Sequence, residues 1–197
     1  MKFPRIFITA FVTFILFNAA TFWIFLNKNP AALNLPRISK VADFHLLDQD
    51  AQPIGLRDLK GKVWVADFIY STCSGICPLM SKNMAQLGRS FALLQQEVTF
   101  VSISVNPEND TPDRLKEYAK TVQANTRAWK FLTGPREEIQ RLAVHSFKVG
   151  SVDEIMMHSA YFVLVDNKGY IRGYYEGTQK KQIDRLFKDI AYLVKEK

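Results

Sequence analysis

Cysteine is almost absent from this chain: Cys73 and Cys77 are the only two in 197 residues. Two cannot build the multi-bridge scaffold of a small secreted domain, so whatever they do is local. Histidine is nearly as scarce, with only His45, His145 and His158. No basic run is dense enough to suggest nucleic acid as a partner. The net charge of +7, of which Lys2 and Arg5 supply two to leave +5 beyond residue 27, fits an acidic partner or an anionic lipid surface and reads most simply as a soluble basic surface. Internal repeats and low-complexity tracts are missing too. An apolar content of 48% with 13% aromatics excludes a disordered chain.

Charge is also missing from Ile6 to Leu26, a run of 21 residues long enough to cross the roughly 30 Å hydrocarbon layer as a helix. Lys2 and Arg5 precede it, Lys28 follows it, and Trp23 lies near its distal end. This pattern predicts an N-terminus in the cytoplasm and a domain on the extracytoplasmic side, in a periplasm, at the cell exterior or in an equivalent space. A cleaved signal would have a shorter apolar core of about 7–15 residues, whereas here the run continues past "FNAAT" to Leu26. The segment therefore reads as an uncleaved anchor. In either case thiols there tend to be oxidised. A lone pair is then a disulfide, a redox couple or a metal site. The expected division is a tail over 1–5, the anchor over 6–26, a proline-bearing linker over 27–40 and one domain over 41–197.

Within that domain, "DFHLLDQDAQPIGLRDL" predicts a hairpin turning at "DQDAQ", and "KVWVADFIY" and "EVTFVSISV" predict strands buried on both faces. A helix is expected from Pro78, with Met80, Met84, Leu87, Phe91 and Leu94 on one face. Thr111 and Pro112 mark the cap and first position of a second helix. "WKFLTG" then suggests a short strand, "PREEIQRLAVHSF" a helix, "YFVLVDNKGYIRGYY" a hairpin around a Lys-Gly turn, and Ile183, Leu186, Phe187, Ile190 and Leu193 a final helix. Strands alternating with helices around buried strands give an α/β fold. A cysteine pair at a strand-to-helix junction, with a closing hairpin and helix, is the thioredoxin-like arrangement.

A thiol at a helix N-terminus feels the positive end of the helix dipole and free N–H groups, and both favour the thiolate. Residues four apart across a helix start can bring their Cα atoms to about 6 Å, close enough for a disulfide or for one shared ion. Spacing alone does not choose between redox and metal chemistry. A metal would need a further ligand. His45 alternates with apolar residues as a strand surface position, and His145 sits within a predicted helix. His158 precedes a buried strand, at a loop end expected near the cysteine loop, and is the candidate. Two thiolates and an imidazole suit copper, as sulfur favours Cu(I) and nitrogen helps to hold Cu(II). A structural zinc would want four protein ligands. Met156 and Met157 could lend a thioether or pack beneath the loop.

The blocks "FIYSTCSGICPLM", "SVNPENDTP" and "MMHSAYFVLVDNKG", in this order after a single anchor, resemble the SCO/SenC family of thioredoxin-like copper proteins, from about Asp43 to the C-terminus. The resemblance implies copper on Cys73, Cys77 and His158, and a role in assembling the binuclear copper centre of cytochrome c oxidase. Its implied partners are the copper-receiving oxidase subunit, an upstream thiol reductant and a copper donor. Such a protein would either deliver copper or keep the subunit's cysteines reduced. Two departures bear on copper affinity and redox poise: Ser74-Gly75-Ile76 lacks the acid that many members carry between the cysteines, and Asn106 stands where many have Asp. Asp67, inside the first buried strand, matches an acid found in thioredoxins. Buried there, it would either exchange a proton with the cysteine pair or be an inert hydrogen-bonded carboxylate.

Overall fold

The computed structural model describes residue 18, residues 35–149 and residues 160–196. The anchor predicted over 6–26, Asn18 apart, lies outside these residues, as do Met156, Met157 and His158. No helix among the described residues is long and apolar enough to cross a membrane.

A compact unit begins at Leu35. In chain order it comprises β1 (Ser39–Lys40), β2 (His45–Leu47), β3 (Pro53–Gly55), α1 (Leu56–Leu59), β4 (Val63–Ile69), α2 (Cys77–Ser90), β5 (Val98–Ser104), α3 (Pro112–Thr121), β6 (Trp129–Leu132), α4 (Arg136–Arg141), β7 (Tyr161–Val165), β8 (Tyr170–Glu176) and α5 (Lys180–Lys195). Six strands form one sheet in the order β1-β8-β7-β4-β5-β6, while β2 and β3 form the predicted hairpin beside it. Strands β4, β5 and β6 are parallel, and β7 and β8 run antiparallel. The six residues after the linker's start of compactness, 35–40, are part of the fold: Leu35 is buried and Ser39–Lys40 pair with β8.

Every residue of β4 and of β5 is buried, as expected of parallel strands covered on both faces. Pleating sends Val63, Val65 and Ile69 towards α2, α3 and α5, and Trp64, Ala66 and Phe68 towards α1, α4 and Phe147. Phe147 meets Trp64 and Phe68 edge-on, at ring-centroid distances of 5.8 and 5.4 Å. The β7–β8 turn needs a left-handed residue, supplied by Gly169 at φ +83°.

The predicted helix over "PREEIQRLAVHSF" changes form part-way. After α4, residues Leu142–Ser146 wind as a π-turn, with His145 exposed and Ser146 accepting a hydrogen bond from the Ala42 amide at 3.1 Å. Leu142, Ala143 and Ser146 are buried along that turn. Phe187 and Leu94, assigned to apolar helix faces, stand 42% and 36% exposed. Phe187 covers Phe91 instead, with ring centroids 5.1 Å apart.

Candidate functional site

Parallel strands β4 and β5 end at one rim of the sheet, the place where open α/β sheets take their ligands. There β4 delivers the cysteine loop, and β5 delivers the loop Val105–Thr111 that leads to α3. Cys77 rather than Pro78 is the first residue of α2, with Ile76 as cap and Pro78 in the first turn, where its missing N–H is not needed. Because α2 packs on the sheet, Cys77 is buried, whereas Cys73, four residues earlier in the loop, is partly exposed.

Both thiols are free, and each acts on the other's protonation. Their protonation differs. Partial burial opposes charge on Cys73, yet donation from the Cys77 thiol, the Cys77 and Gly75 amides and the Tyr70 hydroxyl outweighs it, and holds Cys73 below the usual thiol range. Burial pushes the Cys77 thiol up to about 12, helped by its bond to Cys73 and by the charges of Cys73 and Asp67. Free N–H groups around the helix start therefore act on Cys73, in the loop, while Cys77, the first helical residue, is governed by desolvation. With a limiting dose of iodoacetamide, most of the first label is expected on Cys73, read by peptide mass mapping. Equal labelling of both would show that the asymmetry is absent.

Asp67 lies on the α2-facing side of β4, opposite Ser102 of β5, and is fully buried. The Ser102 hydroxyl donates to its Oδ1 at 2.6 Å, and Trp129 Nε1 in turn donates to Ser102 Oγ at 2.9 Å. Its Oδ2 has no partner among the described residues. Burial pushes the Asp67 carboxyl up to about 7, against the lowering effect of the Ser102 bond.

A cleft of about 480 Å³ opens beside Cys73, between the start of α2 and α3, with Arg114, Tyr118 and Val122 on its far wall. A reacting thiol or a metal donor can reach the Cys73 sulfur from there. Of the three predicted ligands, the structure brings Cys73 and Cys77 together, while His158 lies outside the described residues. His45 is exposed on β2 and His145 on the π-turn. Sequence reasoning missed Tyr70, Ser71 and Asp110. Tyr70 sits at the end of an apolar run and looks like core. Asp110 sits in "ENDTP" and looks like turn chemistry. Asn106, one of the two departures noted above, takes its place in that turn, its carbonyl accepting the Asn109 and Asp110 amides at 3.1 and 2.9 Å. No group of three or more potential metal-binding side chains is assembled among the described residues.

The SCO1/SenC family profile matches residues 34–195. A relative in Bacillus subtilis (strain 168), named SCO1 protein homolog, is 34% identical over 156 residues, covering 77% of this chain and 81% of its own. A protein of Stutzerimonas stutzeri, proposed by its name to bind copper, is 31% identical over 150 residues and covers 72% of each chain. Among solved structures, BsSco superposes with a TM-score of 0.72 at 33% identity, over 81% of this chain and 95% of that one. It is described as having a disulfide switch and as a member of the Sco family of cytochrome c oxidase assembly proteins.

Proposed function

The chain belongs to the SCO1/SenC family, and from that premise we propose that it carries copper for the assembly of cytochrome c oxidase. The copper is cargo, held by the Cys73 and Cys77 thiolates and the His158 imidazole and passed by ligand exchange to the oxidase subunit that receives it. The observation that carries this reading is the pair of free thiols at the carboxyl rim of β4, one buried at the start of α2 and one partly exposed in the loop before it. Two sulfurs four residues apart at one helix start fit one soft ion, and the partly exposed Cys73 gives it a way in and out through the cleft. The sheet register supports His158 as the third donor. Ala66 pairs with Val163, so antiparallel pairing carries the start of β7, Tyr161, to the rim where β4 ends. His158 is three residues from Tyr161 in the chain, a reach of about 11 Å at most.

Copper binding requires the dithiol, because a Cys73–Cys77 disulfide has no thiolate to offer. An upstream thiol reductant and a copper donor follow from that requirement. The charge-free run over 6–26 supports anchoring in a membrane, with the N-terminus cytoplasmic and the domain on the extracytoplasmic side.

The test is titration of the full-length chain in detergent with Cu(I) and Cu(II) after anaerobic reduction, beside His158→Ala. One copper per chain is expected, with Cu(II) charge-transfer absorption. The variant should weaken binding by more than the roughly 10–100-fold that a change outside the ligand shell costs. Equal affinity in the variant would remove His158 from the site.

The thiol asymmetry favours a second reading, a thiol–disulfide reductase acting on the same subunit. Cys73 thiolate attacks a partner disulfide, forming a mixed disulfide and releasing one partner thiolate. Cys77 then gives up its proton and attacks the Cys73 sulfur. The second partner thiolate leaves and takes up that proton, so the partner gains two electrons and the chain ends as the Cys73–Cys77 disulfide. In this reading both cysteines are essential and His158 is dispensable.

A further inference from the structure

Cys77 is fixed by α2, but the loop before it has little apolar anchorage: Thr72, Ser74, Gly75 and Ile76 are exposed. What ties this loop to the rest of the molecule is a carboxylate on another element. Asp110, just before the α3 cap, is fully buried although it lies in a polar turn. Its Oδ2 accepts the Ser71 amide at 3.0 Å and the Ser104 hydroxyl at 2.6 Å, while its Oδ1 accepts the Ser71 hydroxyl. Arg114 Nε donates to the Ser71 Oγ from the opposite side at 3.3 Å. Asp110 is itself held, its amide donating to the Asn106 carbonyl at 2.9 Å. A carboxylate is expensive to bury unless its acceptors are filled. Here they are filled by the end of β5 and by the residue two before Cys73.

We propose that Asp110 is a positioning residue for the cysteine pair: by clamping Ser71 to the end of β5, it sets where the Cys73 sulfur stands relative to Cys77. The role rests on the reading of Cys73 and Cys77 as the working pair, but not on copper. A loop released from the clamp samples more positions, so the effective concentration of Cys73 at Cys77 falls. Closing the disulfide and gathering both sulfurs on one ion both become less favourable.

The experiment equilibrates the full-length chain in detergent with glutathione buffers, in which the dithiol plus one oxidised glutathione gives the disulfide plus two reduced glutathiones. Ser71→Ala and Asp110→Ala are each expected to lower that equilibrium constant about tenfold, ~30 mV for this two-electron couple. Asp110→Asn, which keeps an acceptor, should recover most of it. Copper affinity measured by competition should fall about tenfold in the alanine variants, as for other residues that orient ligands. Glu196→Ala, at the opposite rim, is the control: it should lower the melting temperature and leave the thiol equilibrium unmoved. Ser71 is only half-buried, so its variant tests the idea even if Asp110→Ala fails to fold. A wild-type constant in Ser71→Ala overturns the proposal. A shifted constant in a chain whose wild type binds no copper supports the positioning role and defeats the copper reading instead.

Discussion

Replacing Arg172 by methionine is expected to remove about 3–5 kcal/mol of folding free energy, the usual cost of stripping one partner from a buried ion pair. Arg172 lies on β8 and is 4% exposed. Its Nη1 reaches Asp166 in the β7–β8 turn and Glu196 beyond α5, both at 3.0 Å. Its Nε and Nη2 donate to the Leu35 carbonyl at 3.1 and 2.7 Å. One guanidinium thus joins the first residues of the domain, a tight turn and the C-terminal end. Methionine fills much of the volume but leaves the Asp166 carboxylate buried with Oδ2 unpaired and the Leu35 carbonyl without its donor. Domains of this size are stable by only about 5–15 kcal/mol, so the midpoint of urea unfolding should drop sharply at unchanged slope. Lysine keeps the charge but lacks the planar fork, and should fall between the two. Arg172→Met with Asp166→Asn should recover part of the loss, since no carboxylate is then stranded. A loss below about 1 kcal/mol would place the pair among weak surface bridges and refute the expectation.

The second large effect is a pH dependence carried by Asp67. Its carboxyl titrates near 7 in the folded chain, against an ordinary value of 3.8. Between these values the folded state holds a proton that the unfolded state has released. Stability from this group is therefore complete below pH 3.8 and is lost as pH rises through about 7. Three pKa units correspond to about 4 kcal/mol. Asp67→Asn removes the titration, keeps an acceptor for the Ser102 hydroxyl and avoids a buried charge. Expected are near-equal stability of the two proteins at about pH 3.5, a variant already more stable than wild type at pH 5 and most so at pH 8, and a flatter pH profile between. Parallel profiles for the two proteins would mean that Asp67 does not titrate in this window. The change also takes away a negative charge that raises the Cys77 thiol, so iodoacetamide should reach Cys77 sooner in the variant.

Much of the architecture was legible before any coordinates. Buried runs announced β4 and β5, Thr111 and Pro112 opened α3 as expected, with Thr111 Oγ1 accepting the Arg114 amide at 3.4 Å, and Asn-Lys-Gly made the last turn. Other features were hidden for definite reasons. The π-turn Leu142–Ser146 follows a pattern that still reads as a helix, because one extra residue in a turn leaves no compositional mark. Strand β1 is two residues long and exists only through its pairing with β8. Phe187 has the right spacing for the core, yet α5 turns it outward against Phe91. At the site, the strand-to-helix position of the cysteines was readable, but the clamp on their loop was not. Asp110 and Ser71 are 39 residues apart, and nothing local marks them as partners.

The amino-acid order by itself determined the alternation of strands and helices, the family, and the placing of both thiols where a buried strand gives way to a helix. These follow from local spacing, turn chemistry and the hydrophobic period, which any short window contains. Tertiary structure decided which thiol is charged and open to attack, that Asp67 lies against Ser102 with one oxygen unpartnered, and that Asp110 grips the cysteine loop. The physical reason is desolvation: the cost of a charge depends on which distant segments exclude water from it, and that is set only when β4, β5, α2 and α3 close on one another.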